Sequence, residues 1–228
     1  MFKFVWDAGY ILAQTFLRNY YYQQQQQQQK QKQTTNHQNP QPNNTPLHII
    51  ELGAGTGITS LLIAKSLLQN KNDTAVSFHL TDLPELQPLL QQNCVINFPH
   101  QTNKVTHGVL EWGSNTNTIP ANTYDVILGA DVVTSIYSAD KLAHSLYALS
   151  TNAHTQIYIA YRERVTGMLA TFLTRMHTMF AVVDTTTLPP NSTNHNPTVV
   201  IVYLTGKKTM PSSLPANNTN TNTTIICG

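Results

Sequence analysis

The sequence predicts an α/β fold: a doubly wound, seven-stranded sheet, mostly parallel, with one antiparallel strand near the carboxyl terminus. Three observations carry that expectation. Short apolar runs alternate with segments of helical periodicity, the pattern of a parallel sheet covered on both faces. A glycine-rich stretch joins the first run to the first helix of that series. The last two apolar runs follow one another without a helix between them, which requires a reversal and hence one antiparallel strand.

The elements follow in order. Residues 1–22 read as an amino-terminal helix, with Val5-Trp6-Asp7-Ala8 leading into apolar positions. The apolar start does not read as a signal peptide. Asp7 interrupts it, and a glutamine run stands where a small-residue cleavage site belongs. Residues 23–46, opening on Gln23 to Gln29, carry too little apolar surface to offset ordering entropy and are expected to form a disordered insert. Leu47 to Leu52 reads as the first strand, and Thr59 to Gln69 as a helix with Leu61, Leu62, Ala64, Leu67 and Leu68 on helical spacing. Val76 to Thr81 is the second strand; a helix from Pro84 to Asn97 follows, its proline suited to a first turn. Val105 to Leu110, Tyr124 to Ala130 and Gln156 to Tyr161 read as further strands, with a helix from Ala139 to Ser150 before the last of them. Val165 to Met179 is the final helix, ahead of strands at Phe180 to Thr185 and Thr198 to Leu204. Residues 47–208 thus form the organised core, and residues 209–228, rich in Asn and Thr, a disordered tail.

Composition narrows the function. Thirteen Lys and Arg against eleven Asp and Glu leave +2, and only 11% of residues are charged, so there is no basic field for nucleic acid. No apolar stretch approaches the roughly 18 residues of a membrane helix. Cys94 and Cys227 stand far apart with no partner histidines, which gives neither a disulfide framework nor a metal site. Five Asn-x-Ser/Thr sequons arise by chance in a chain so rich in Asn and Thr, and a reducing, cytoplasmic setting is expected.

The motif with chemistry is Glu51-Leu52-Gly53-Ala54-Gly55-Thr56-Gly57, leaving a strand and opening a helix. Its glycines permit a sharp turn and close backbone approach to a ligand. A dinucleotide fingerprint needs glycine where this chain has Ile58, so the loop matches a G-x-G-x-G form over which a nucleoside lies. Asp82, closing the second strand, stands where an acid accepts hydrogen bonds from ribose hydroxyls; capping the following helix is the other reading.

These residues resemble the seven-β-strand, Rossmann-like S-adenosylmethionine-dependent methyltransferases, and within them the methyltransferase-like 21 family of protein-lysine methyltransferases. The likeness rests on Val5-Trp6-Asp7-Ala8, the glycine loop, Thr81-Asp82-Leu83-Pro84-Glu85-Leu86-Gln87, Leu110-Glu111-Trp112-Gly113, Ala130-Asp131-Val132-Val133 and Tyr161-Arg162-Glu163-Arg164. It implies S-adenosyl-L-methionine as cofactor and a protein substrate, with closest likeness to the member acting on valosin-containing protein (p97), and a monomeric enzyme. It further implies that Trp6 lies at the methionine end, that Gly53, Ala54 and Gly55 contact the cofactor through backbone, and that Asp82 binds ribose. Trp112 would flank adenine, and Ala130 with Asp131 would lie beside the transferred methyl, Asp131 as the catalytic acid. Core packing is the alternative for both tryptophans, a cap for Asp131, and pocket support or a surface ion pair for Tyr161 and Arg164. Thr134 stands where the family usually has tyrosine, and the sequence begins almost at the Val-Trp-Asp helix, ahead of which the family usually carries a further segment, so either that segment is lacking or the sequence is incomplete. A cofactor-binding module without activity, a small-molecule methyltransferase and a nucleotide-dependent oxidoreductase therefore stay open as alternatives, the last disfavoured by Ile58.

Overall fold

The computed structural model describes residues 7–34, 46–69, 75–114, 124–151, 153–188 and 198–209. The strands are β1 (Leu47–Leu52), β2 (Val76–Asp82), β3 (Val105–Val109), β4 (Val126–Ala130), β5 (Gln156–Arg162), β6 (Phe180–Leu188) and β7 (Val199–Lys207). The helices are α1 (Asp7–Thr34), α2 (Ile58–Leu67), α3 (Gln87–Asn97), α4 (Ala139–Leu149) and α5 (Met168–Met179), with a 3-10 turn at Pro84–Leu86 before α3. They form one seven-stranded sheet in the order β3-β2-β1-β4-β5-β7-β6. Strands β1 to β5 pair in parallel, and β7 runs antiparallel to both β5 and β6. The expected doubly wound sheet with a single reversed strand is what forms.

Side-chain alternation along the central strands explains why both faces are covered. In β4, Val126 and Leu128 enter one core, with α1 and α2, while Ile127 enters the other, with α4 and α5. In β5, Tyr158 and Ala160 face the first core, and Ile157, Ile159 and Tyr161 the second. A strand buried on both sides has no polar face to spare, which is why these segments read as nearly continuous apolar runs. Helix starts are set locally. Ser138 caps α4, its Oγ accepting from the Lys141 N–H at 3.3 Å, while Gly57 and Gly167 precede α2 and α5 in left-handed conformations.

Helix α1 departs from expectation. Its first half packs on the sheet through Ala8, Leu12, Ala13 and Phe16, with the Phe16 ring edge-on to Tyr158 at 5.5 Å, and Arg162 of β5 pairs with Asp7 at 3.2 Å. The helix does not end at Tyr22. It continues through the glutamine run to Thr34, so the 23–46 segment expected to be disordered is helical over Gln23–Thr34. Glutamine is an unbranched residue that loses little rotamer freedom in a helix, and extension from an already packed helix avoids the nucleation cost. Residues 35–45 and 210–228, the rest of the expected insert and most of the tail, lie outside the described residues. Cys94 is a free, buried thiol; Cys227 lies outside the described residues. Among the described residues no helix is long and apolar enough to cross a membrane.

The two halves of α1 should respond differently to truncation. Phe16→Ala is expected to lower unfolding free energy by about 3–5 kcal/mol, and Gln25→Ala, on the exposed extension, to change it by no more than about 0.5 kcal/mol. Urea denaturation of the two variants checks this; equal losses would refute an α1 held by its first half.

Candidate cofactor and acceptor site

The parallel pairing of β1 with β2 on one side and β4 on the other opens a crevice at the carboxyl ends of these strands. A cavity of about 380 Å³ lies there. Its floor is the glycine loop. Gly53, Gly55 and Gly57 all have positive φ (61°, 56° and 79°), but for different reasons. A Cβ on Gly53 would come within 2.9 Å of Val132 and 3.1 Å of the Trp112 ring, and one on Gly57 within 2.7 Å of Leu80. Those two positions are closed by packing. Gly55 would meet nothing within 4 Å, so its backbone faces open cavity.

Asp82 holds this loop in place. Its Oδ2 accepts from the Gly55 N–H at 2.7 Å and its Oδ1 from the Leu83 N–H at 2.7 Å. The 3-10 turn is capped by Leu83 without a side-chain bond, so the helix-cap reading of Asp82 does not hold. Burial raises the Asp82 pKa, the Gly55 and Leu83 amides pull it down, and the Glu85 charge raises it slightly. Gln87 braces the strand end from behind, its Nε2 donating to the Asp82 carbonyl at 3.1 Å and to Gly108 at 2.9 Å. These two bonds use two of the roughly four acceptor directions of an ionised carboxylate, and Asp82 lines the cavity.

The walls come from separate loops. Trp112 lines the cavity after β3, stands against Gly53, and meets Tyr137 edge-on at 5.2 Å. It also packs on the α4–α5 core, so pocket wall and core packing are both true of it. Tyr137, three residues after the departure at Thr134, has its ring committed to Trp112. Gly9 of α1 also lines the cavity, and a Cβ there would come within 2.9 Å of Ile58. Trp6 lies outside the described residues.

Ala130 and Asp131 line the cavity at the end of β4. Among the described residues Asp131 alone is a non-glycine with positive φ, 56°. Its N–H donates to the Ala160 carbonyl at 2.9 Å, which holds the strained backbone, at a cost of roughly 1 kcal/mol or more. The side chain is 7% exposed, and Oδ2 accepts from Arg164 Nη2 at 2.9 Å. The expected ion pair of Arg164 is therefore with Asp131 itself. Burial raises the Asp131 pKa, opposed by the positive charges of Arg164 and Arg162. Tyr161 is buried in the sheet.

Glu51 is the site residue that sequence reasoning did not assign, although it opens the glycine motif. It lines the cavity, is 2% exposed, and accepts from the Ser60 N–H at 3.0 Å. Burial pushes its pKa up to about 7. The Ser60 and Thr59 hydroxyls are near enough to lower it somewhat, yet neither makes a hydrogen bond of good geometry. The available signal was an acid interrupting a strand otherwise buried on both faces. Among the described residues no group of acids, histidines and cysteines is arranged to hold a metal ion.

The buried Glu51 carries a pH dependence of stability. Its folded-state pKa lies above the ordinary value of 4.5, so its contribution is full below 4.5 and is lost as pH rises through about 7. That loss is on the order of 3 kcal/mol. Glu51→Gln should flatten the stability curve over this range and gain on the unsubstituted protein above it. Chemical denaturation at several pH values measures the difference; parallel curves would count against a buried, pH-titrating Glu51.

Comparison with known proteins assigns the fold and the family. A family model described as lysine methyltransferase matches residues 2–179. EEF1A lysine methyltransferase 3 from Mus musculus is 35% identical over 128 residues, 56% of this chain and 50% of that protein. Protein N-lysine methyltransferase METTL21A from Danio rerio is 33% identical over 137 residues, 60% of this chain and 58% of that protein. The chain thus spans about half the length of the curated relatives it matches. Among solved structures, a predicted O-methyltransferase from Agrobacterium tumefaciens superposes with a TM-score of 0.56 at 11% identity, covering 72% of this chain and 76% of that one. A magnesium protoporphyrin IX methyltransferase from Synechocystis with bound SAH gives 0.50 at 12% identity, covering 72% and 76%. These two share the fold. With the family match running from α1 through α5, across the whole cavity, the chain belongs to the lysine methyltransferase family.

Proposed function

We propose that this protein transfers a methyl group from S-adenosyl-L-methionine to a lysine side chain of a protein substrate. The observation that carries the reading is the joining of three parts in one cavity: a glycine loop with an open backbone face at Gly55, an acid bonded to that loop, and a second acid, Asp131, on the strained end of β4. The fit to the cofactor rests on the same features. Gly55 leaves room where any side chain would intrude, Asp82 offers acceptors, and the Thr59 hydroxyl is buried without a partner beside the cavity.

In this assignment Gly53, Ala54 and Gly55 contact the cofactor through backbone, Asp82 accepts from the ribose hydroxyls, and Trp112 flanks adenine. Trp6 belongs to the methionine end by family resemblance. When bound, the cofactor supplies an electrophilic methyl group on a sulfonium. The remaining work is done by the chain. A lysine ammonium has no lone pair and must lose a proton before it can act as a nucleophile. Asp131 draws the cation into a site with little water, orients its nitrogen, and passes the departing proton to solvent. Ala130, which also lines the cavity, lies beside the transferred methyl group in this assignment.

The substrate is proposed at two levels. A protein lysine follows from the family; for the individual protein we propose valosin-containing protein (p97), with EEF1A the competing candidate because a relative's name carries it. Incubation with labelled cofactor and each purified protein, followed by mass spectrometry of modified peptides, decides between them. The absence of labelled lysine in both and in a lysate would favour a cofactor-binding module.

Two variants separate the acids. Asp82→Ala is expected to weaken cofactor binding about tenfold or more in isothermal titration; unchanged affinity would remove the ribose assignment. Asp131→Asn should lower methyl transfer about a hundredfold or more while cofactor affinity stays within about threefold. Because burial raises the Asp131 pKa and the carboxylate is the working form, kcat/KM should fall on acidification from a pH above the ordinary carboxylate range. An acid limb at the ordinary carboxylate value would refute that.

A further inference from the structure

The acceptor end of the cavity holds two opposite charges, and the proposed reaction uses only one. Asp131 is 7% exposed, whereas Arg164, between β5 and α5, is 41% exposed and reaches the same cavity. Their 2.9 Å contact puts a guanidinium on Oδ2, and the Arg162 backbone amide also bonds this carboxylate, so an ammonium arriving at Oδ2 meets a cation already seated there. Two cations cannot share that oxygen direction without repulsion.

The two partners differ in how firmly they are fixed. Asp131 is aimed by its backbone, with φ of 56° and an N–H bonded to Ala160. Arg164 lies beyond the last residue of β5, three residues before Gly167 with its positive φ, and next to the half-exposed Val165. Arg162 already ties α1 to β5 through Asp7 at 3.2 Å, so the sheet does not depend on the Arg164 pair. A long side chain with a route to solvent is the partner that yields. Exchange of one cation for another also spares the site an unpaired buried carboxylate, which would be far more costly than either paired state.

We propose that Arg164 is a resident counter-cation in the acceptor subsite, and that a substrate amine reaches Asp131 only by displacing its guanidinium. The pair thereby sets the threshold for amine binding and makes Arg164 a specificity-determining residue. This rests on the reading of Asp131 as the acid of the acceptor end.

The probe is n-butylammonium, the chemical equivalent of a lysine side chain, titrated into the full chain at a pH of about 8, where carboxylates are ionised. In the unsubstituted protein it should shift the Arg164 Nε–H resonance toward its solvent-exposed position. R164Q should bind the probe about tenfold more tightly, R164K should stay near the unsubstituted protein because its ammonium can take the same seat, and D131N/R164Q should lose the gain. An Arg164 resonance that does not respond, equal affinity in R164Q, or a gain that survives D131N/R164Q each overturns the proposal. Methyl transfer is not read in this experiment. A protein that shows the predicted pattern yet methylates no lysine would lose the proposed function and keep the counter-cation.

Discussion

The hydrogen bond from the Gly55 N–H to Asp82 Oδ2 is the constraint on which the site depends. It joins the turn after β1 to the end of β2, and two others reinforce it: Ala54 N–H to the Thr81 carbonyl at 3.0 Å, and Thr81 Oγ1 to the Glu51 carbonyl at 2.7 Å. A bond to a charged acceptor is worth about 1.5–3 kcal/mol, enough to hold one loop conformation among the many that glycine permits. The loop so fixed presents an open backbone face at Gly55 and leads into α2. The same bond orients Asp82 toward the cavity, so loop shape and acid placement are one fact.

Four acids line the cavity; Glu111 is exposed and pairs with Lys141 at 4.0 Å, and the other three are each compensated differently. Glu51 is buried with one backbone donor, and its pKa is pushed to about 7, so it changes charge near neutrality. Asp82 is held by two backbone amides. Asp131 is held by the Arg164 side chain and also by the Arg162 backbone amide. Of these partners only the Arg164 guanidinium can leave without the backbone moving. In the proposed function Asp131 receives a cation, and the guanidinium is the partner there that can be exchanged.

Most of the fold was legible because the physics that builds a doubly wound sheet is local and periodic. Ile127 and Leu128 go to opposite cores, so β4 had to be apolar throughout, and Thr198 to Leu204 following Phe180 to Thr185 had to reverse. The glycine loop and Asp82 were legible for a related reason: backbone conformations that exclude a Cβ leave glycine behind in the sequence. The glutamine run was misread because composition reports what a segment can bury, and helix α1 extends from a neighbour that is already buried. Glu51 was passed over because one acid in an apolar strand looks the same in sequence whether it faces a cavity or a salt bridge.

By itself, then, the sequence determined the order of strands and helices, the loop that floors the cavity and Asp82 beside it, since each follows from periodicity or from the steric demands of a few neighbouring residues; Asp131 was named through the family resemblance. The tertiary structure alone decided that Arg164, 33 positions from Asp131, occupies that acid, that Tyr137 meets Trp112 edge-on, and that Glu51 is closed off with Ser60. The first two contacts join loops separated by whole strands and helices, the third a strand to the helix that follows it, and their geometry is set by how the sheet and helices pack, which no local pattern of residues encodes.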